Sequence, residues 1–173
     1  MTNPLAPLAR GLAAKSVRYV LIGVSGANLY APSGGSRFMT EDYDLFLPLD
    51  ADNLAQAWTV CEDMGLELWL GDEPLDRPRD RWLAGRMIER RALTRVTGPG
   101  EVQVDLTLVM KGFDFDTVWN DRRDFLIEGA EVSTARLLHI VQSKYAVGRD
   151  KDRLFLATHR EALEQLLKRE DND

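Results

Sequence analysis

The segment from Asp42 to Leu47 (DYDLFL), which ends at Pro48, constrains the fold of this chain more than any other. Its aromatic and apolar residues indicate a β-strand, in which residues two apart point to the same side. Asp42 and Asp44 therefore share one face. Two adjacent carboxylates repel each other, and neither gains by facing an apolar core. A divalent cation resolves this conflict, and Mg²⁺ prefers oxygen ligands while keeping room for water and phosphate oxygens.

A third carboxylate lies on a second predicted strand, 102–108 (VQVDLTL). The apolar residues of this strand alternate with polar ones, so Asp105 shares a face with Gln103 and Thr107. Beside the first strand, Asp105 would complete a cluster able to hold two metal ions, with Asp105 as general base and the second ion on a leaving pyrophosphate. Each aspartate taken alone is more typical of strand ends and turns, where aspartates serve solvation and capping, so the interpretation depends on the surrounding sequence.

The remaining pattern predicts an α/β (α+β) protein, a small mixed sheet covered by helices largely on one face, with a helical C-terminal part. The predicted helices are 4–15, 50–64, 113–120, one that begins at Ser133 or Thr134, and 150–168. The predicted strands are 17–22, 42–47, 66–70, a hairpin of 87–96 and 102–109 around Gly98 to Gly100, and 125–132, with 71–80 as loop. The chain of 173 residues suits one domain, with its core at about 16–132 and its helical part at about 133–170.

A glycine turn follows the first strand directly, in the run Ile22 to Ala27 (IGVSGA). A glycine at such a turn lets a phosphate approach the backbone, and the free N–H groups of the next helix favour an anion. Ser25 could add a hydroxyl. A turn of this kind is mostly structural when it occurs alone.

With Gly23 at the turn and Arg37 to Asp44 (RFMTEDYD) after it, the chain resembles the nucleotidyltransferase-fold superfamily, which is related to DNA polymerase β. The resemblance is strongest to small bacterial members found in toxin–antitoxin and abortive-infection systems. It implies that Asp42 and Asp44 are metal ligands and that Asp105 is the third. It also implies nucleotide-binding roles, with triphosphate contacts at the turn, for Gly23, Ser25, Arg37 and Thr40. Val24, where many members have glycine or serine, would crowd the phosphate site or narrow the range of nucleotides that fit.

A second block, Ser143 to Asp152 (SKYAVGRDKD), resembles the Lys and Gly-Arg-x-Lys-Asp pattern of the same families. The resemblance implies that Lys144 faces the active site and neutralises phosphate charge, as a catalytic and nucleotide-binding residue. It implies that Asp152 helps to place the site. The alternative is structural, because Lys and Arg near a helix C-terminus also favour the helix dipole.

Net charge and cysteine content limit the binding partners and the cellular compartment that we expect for this protein. The formal net charge is −6, which disfavours bulk electrostatic binding of nucleic acid. The run of arginines between Arg77 and Arg95 is either a solvated face or a local footprint for RNA. Cys61 is the single cysteine, so no internal disulfide is expected. With no signal peptide and no membrane span recognised, we expect a cytoplasmic protein without a membrane partner.

We therefore predict transfer of a nucleoside monophosphate from an NTP to a hydroxyl or phosphate acceptor, assisted by two Mg²⁺ ions. The acceptor is open between tRNA, a protein and a small molecule such as an aminoglycoside. A toxin role with an antitoxin partner is open too. One alternative is a catalytically silent member that binds nucleotide or a partner protein. Another is a phosphate-ester hydrolase, for which no suitably placed histidine is evident.

Overall fold

An eight-stranded mixed sheet forms the centre of the protein, in a computed structural model that describes residues 4–31 and 42–172. The strands are β1 (Val20–Ile22), β2 (Asp42–Phe46), β3 (Glu67–Leu70), β4 (Glu73–Pro74), β5 (Thr94–Gly98), β6 (Val102–Thr107), β7 (Arg123–Ile127) and β8 (Ala130–Thr134). Their order across the sheet is β4-β3-β5-β6-β2-β1-β8-β7. The β2/β6 and β1/β8 pairs are parallel, and the other pairs are antiparallel. The predicted α/β class with a mixed sheet is confirmed.

Helices pack on both faces of this sheet. They are α1 (Leu5–Ala14), α2 (Gly23–Asn28), α3 (Ala51–Asp63), α4 (Arg81–Glu89), α5 (Phe115–Asn120), α6 (Leu137–Val147), α7 (Asp150–Thr158) and α8 (Arg160–Asn172), with a 3₁₀ turn at Pro99–Glu101. Among these described segments, none is long and apolar enough to cross a membrane.

Two apolar cores hold the sheet in place. The larger core joins one face, through residues such as Leu45 and Leu106, to α1, α3 and α4. Trp58 is fully buried there, and its indole N–H donates to Thr94 Oγ1 at 3.1 Å. The smaller core joins Phe46 and its neighbours on the opposite face to α5, α6, α7 and α8. The prediction that helices cover largely one face is therefore wrong, because alternate residues of the central strands are apolar on both sides.

The segment before the hairpin is helical where the sequence predicted a strand. Residues 87–89 belong to α4, and β5 begins only at Thr94. Asp80 caps this helix, because its carboxylate accepts a hydrogen bond from the Leu83 N–H at 3.0 Å. The predicted loop 71–80 also contains the two-residue strand β4. The Asp80 cap therefore favours a helix in a segment whose apolar residues also fit a strand.

The C-terminal part differs from the prediction in three ways. The single strand predicted for 125–132 is the hairpin β7–β8, which turns at Glu128 and Gly129, both at positive φ. The predicted caps Ser133 and Thr134 lie in β8, and α6 begins at Leu137. The predicted helix 150–168 is two helices, α7 and α8, which break at His159.

The N-terminus of α6 is held by a carboxylate from the far end of the chain. Glu170 on α8 accepts hydrogen bonds from the N–H groups of Leu137 at 2.8 Å and Leu138 at 3.2 Å. Arg136 lies 3.5 Å from the same carboxylate. Glu170 is buried, and α6 has no side-chain cap of its own at Arg136. The long-range contact therefore satisfies backbone donors that every helix leaves free at its start.

We predict that Glu170→Ala lowers the free energy of unfolding by about 3 kcal/mol. The change leaves two backbone N–H donors of α6 without their acceptor and removes the carboxylate nearest to Arg136. Urea denaturation followed by circular dichroism measures this. Glu164→Ala, at an exposed position of the same helix, is the control and should change stability by less than about 0.5 kcal/mol. Equal effects of the two variants would contradict the capping role.

Candidate active site

The register of the central strands brings the predicted carboxylates together. In the parallel pair β2/β6, Asp44 lies directly opposite Asp105, and Asp42 lies opposite Gln103. Residues opposite each other in neighbouring strands have their side chains on the same face. All three aspartates therefore face the side of the sheet that also carries the smaller core.

Electrostatic repulsion is concentrated at Asp44. Burial is the largest cause that raises the pKa of its carboxyl, and the charges of Asp105 and Asp42 add to it, giving a pKa of about 6. Lys144 and Lys151 act in the opposite direction. Asp44, Asp42 and Asp105 together supply oxygen donors of the chemical type that a hard divalent cation such as Mg²⁺ prefers.

The carboxylates do not converge on one point as they stand. Within the described ranges, no group of three or more His, Cys, Asp and Glu side chains is placed to hold one ion. One physical reason is that both carboxylate oxygens of Asp105 already form an ion pair with an arginine. Arg95 Nε donates to Asp105 Oδ1 at 3.0 Å, and Arg95 Nη2 donates to Oδ2 at 3.3 Å.

Arg95 is one residue beside the acidic centre that the sequence analysis did not predict. It lies on β5, opposite Asp105 in the antiparallel hairpin. The sequence contained a signal for this contact. If the turn of the predicted hairpin is centred on Gly100, Arg95 and Asp105 lie opposite each other. The predicted strand 87–96 offered several arginines, however, and no register was assigned.

The glycine turn lies against the acidic centre. Gly23 has a φ of +68°, and a Cβ at this position would lie 2.7 Å from Asp44 Oδ2. Glycine is needed for both reasons, because it tolerates positive φ and lets the backbone approach the carboxylate. Ser25 is buried behind the turn, where its hydroxyl donates to the Ile22 carbonyl at 3.2 Å. The triphosphate contact predicted for Ser25 would need this hydroxyl to turn away from that carbonyl.

Two cations approach the acidic centre from the C-terminal helices. Lys144 Nζ lies 3.3 Å from Asp152 Oδ1, and Arg149 Nε lies 2.7 Å from Asp152 Oδ2. Asp152 is only 2% exposed. Burial works to raise the pKa of Asp152, but hydrogen bonds and charge from Arg149 and Lys144 outweigh it and hold the pKa below its ordinary value. The buried carboxylate thus fixes two cations beside each other.

Carboxylates of the sheet and cations of the C-terminal helices line one cavity of about 450 Å³. The predicted site residues in its wall are Gly23, Asp44, Asp105 and Lys144, and unpredicted polar residues there include Lys111 and Arg149. Asp42 lies two residues before Asp44 on β2, so its side chain is on the same face of the sheet. The predicted nucleotide-binding residues Arg37 and Thr40 lie outside the residues that the structure describes. Negative and positive side chains thus face one space, which suits a metal-bound anion.

The arginine run outside the site is mostly exposed, although the side chain of Arg79 is only 8% exposed. Arg77 and Arg79 lie within 3.6 Å of Glu62, and Arg86 lies 3.0 Å from Glu89. Arg81 pairs with Asp52 at 3.3 Å. Because nearby carboxylates balance these charges, the contacts favour a solvated face over a continuous basic patch.

The mixed sheet with helices on both faces is a nucleotidyltransferase-like fold, as its similarity to two solved structures shows. The solution structure of the antibiotic-resistance factor ANT(2'')-Ia, described as having substrate-regulated conformation dynamics, is similar with a TM-score of 0.50 and 15% identity over 94% of this chain and 86% of that chain. The crystal structure of ANT(2'')-Ia in complex with adenylyl-2''-tobramycin gives a TM-score of 0.50 and 14% identity over 97% and 95%. No protein-family model and no curated protein matches the chain. At these identities the likeness concerns the fold.

We predict that Asp44→Asn stabilises the metal-free protein by about 1–2 kcal/mol at pH 7, and by less at pH 4. The folded-state pKa of about 6 lies above the ordinary 3.8, so the wild type loses stability as the pH rises through that window. Asparagine stays neutral and avoids this loss. Two pKa units correspond to about 3 kcal/mol, which partial exposure to solvent reduces.

Thermal and urea unfolding in EDTA, measured across about pH 4 to 8, tests this prediction. Asp72→Asn, at an exposed position, should show no such pH-dependent gain. A stability difference between Asp44→Asn and wild type that stays constant with pH would contradict the electrostatic explanation.

Proposed function

We propose that this protein is a metal-dependent nucleotidyltransferase that moves a nucleoside monophosphate from an NTP to an acceptor hydroxyl. The observation that carries the proposal is the β2/β6 register, which sets Asp44 opposite Asp105 and leaves Asp42 on the same face. Asp44 and Asp105 line a cavity together with Lys144 and Arg149. A metal-bound triphosphate needs carboxylates to hold its metal ion and cations to neutralise its phosphate oxygens, and this cavity offers both.

The proposed chemistry assigns a role to each side chain. Asp42 and Asp44, with Asp105, would hold Mg²⁺, which supplies charge neutralisation and Lewis acidity when bound. Asp105 takes the proton of the acceptor hydroxyl as its oxygen attacks the α-phosphorus. The new P–O bond forms while the bond from the α-phosphorus to the bridging oxygen breaks, and its electron pair leaves with pyrophosphate. Lys144 and Arg149 bind the phosphate oxygens, and the Gly23 backbone allows them to approach.

We propose a small hydroxyl-bearing molecule as the acceptor. The cavity of about 450 Å³ is of the size that small ligands occupy. The net charge of −6 and the local pairing of most surface arginines in the 77–91 run disfavour a long nucleic-acid footprint. The complex of ANT(2'')-Ia contains adenylyl-2''-tobramycin, which supports testing aminoglycosides first. Labelled nucleotide on tRNA or on a protein would instead favour a toxin role with an antitoxin partner.

We predict that the double variant Asp42→Asn/Asp44→Asn loses Mg²⁺-dependent NTP binding and that its transfer rate falls by more than about 100-fold. Loss of even a supporting group at a metal site typically costs about 10–100-fold, and this variant removes two ligands. Calorimetry with each of the four NTPs, with and without Mg²⁺, measures binding. Transfer of an α-³²P label to aminoglycosides, tRNA and protein measures turnover.

The matched control for that variant is Asp63→Asn/Asp72→Asn, which removes the same charge from exposed positions. It should bind and transfer as the wild type does. NTP binding that survives in the Asp42→Asn/Asp44→Asn protein would place the nucleotide elsewhere and overturn the proposal.

We predict that Lys144→Gln raises the NTP dissociation constant by about 10- to 100-fold, since a hydrogen bond to a charged group is worth about 1.5–3 kcal/mol. The effect should fall on triphosphate binding, while Mg²⁺ still binds the protein. Titration with NTP and with Mn²⁺ as a reporter separates the two. Lys168→Gln, at an exposed position of α8, serves as the control. Unchanged NTP affinity in Lys144→Gln would remove this residue from the site.

The second candidate is a catalytically silent protein that binds nucleotide or a partner protein. The ion pair between Arg95 and Asp105 favours it, because a carboxylate engaged at both oxygens is a poor base. The label-transfer assay separates the two candidates. NTP binding with no transfer to any acceptor would support the silent protein, and transfer that depends on Asp105 would support the enzyme.

A further inference from the structure

Arg95 forms a two-point ion pair inside the acidic centre. Its guanidinium donates to both oxygens of Asp105, at 3.0 and 3.3 Å. The two side chains differ in accessibility, since that of Asp105 is 10% exposed and that of Arg95 is 44% exposed. The carboxylate is therefore fixed in the cavity wall, while much of the arginine lies at the open surface.

The pair conflicts with the role proposed for Asp105. A metal ion or a hydroxyl proton needs a free carboxylate oxygen, and both oxygens face a guanidinium that does not give up its proton in proteins. Deprotonation thus offers no way to release Asp105, and the guanidinium must move.

The structure favours such a movement. The Arg95 side chain is nearly half exposed, so water can solvate the guanidinium when it leaves. The cost of separation therefore falls on the buried Asp105 carboxylate, which needs another positive charge in place of Arg95. A guanidinium also binds phosphate oxygens with the same two-point geometry that it uses for a carboxylate. A triphosphate entering the cavity offers that alternative partner, and the metal ion that accompanies it offers Asp105 a stronger one.

We propose that Arg95 is an exchangeable counter-ion: it holds Asp105 while the site is empty, and it transfers to the phosphates when metal and triphosphate bind. This inference rests on the proposed function. It makes metal and triphosphate binding mutually dependent, because the metal alone must displace Arg95 without offering it a new partner. The same side chain should therefore oppose one ligand and assist the other.

Two titrations test this double role. Mn²⁺ is titrated alone into wild type and Arg95→Gln, and the preformed Mn²⁺ complex of inorganic triphosphate is titrated into the same proteins. We expect Arg95→Gln to bind Mn²⁺ alone about tenfold more tightly, because a competing positive charge near the metal is gone. We expect it to bind the Mn²⁺–triphosphate complex about tenfold more weakly, because a charged phosphate donor is gone.

The control is Arg86→Gln, which removes an arginine from an ion pair with Glu89 on the surface of α4. It should leave both affinities unchanged. Arg95→Lys keeps the charge but loses the two-point contact, so both affinities should fall between those of wild type and Arg95→Gln. Thermal unfolding of each protein shows that it is folded under the titration conditions.

Opposite shifts of the two affinities support the proposal. Shifts in the same direction, or none, overturn it, because a purely structural arginine would weaken both and a purely repulsive one would tighten both. If wild type binds Mn²⁺ and transfers nucleotide while Arg95→Gln matches it, this inference fails and the proposed function stands. If neither protein binds Mn²⁺, the metal-dependent function fails and the inference fails with it.

Discussion

The parallel pairing of β2 with β6 is the constraint on which the rest of the structure depends. It forces two carboxylates, Asp44 and Asp105, into direct opposition in a partly buried place. The cost is visible in the pKa of Asp44, which burial and neighbouring negative charge raise to about 6. Like charges that cannot move apart need positive charge from elsewhere, and the surrounding elements supply it. Arg95 provides it from the next strand, and Lys144 and Lys151 provide it from the C-terminal helices.

The two apolar cores protect that register. Leu45 and Leu106 lie next to the aspartates along their strands and point into the larger core, while Phe46 points into the smaller one. A slip by one residue would exchange the faces, placing a carboxylate in the larger core and a leucine in the cavity. The packing of α3 and α4 on the far side of the sheet therefore fixes the acidic centre without touching it.

Local patterns predicted those parts of the site that are encoded within a single element. The alternation in 42–47 and 102–108 placed each aspartate on the correct face of its strand, and the glycine turn after β1 lies where its sequence indicated. The Arg95–Asp105 contact depends on hairpin register, which strand patterns leave open. The cap at Glu170 depends on residues more than thirty positions apart, as its bonds to Leu137 and Leu138 show. No local signal contains a contact of that kind.

The C-terminal helices are part of the site, since they form the wall that balances its charge. Buried Asp152 orients Lys144 and Arg149 towards the cavity, and it can do so only while α7 packs on α6. The start of α6 is in turn held by Glu170 from α8. A chain of contacts thus connects the last helix to the cations that face Asp44. Because like charges in the sheet need those cations, the acidic centre and the helical part form one electrostatic unit, in which neither half is balanced without the other.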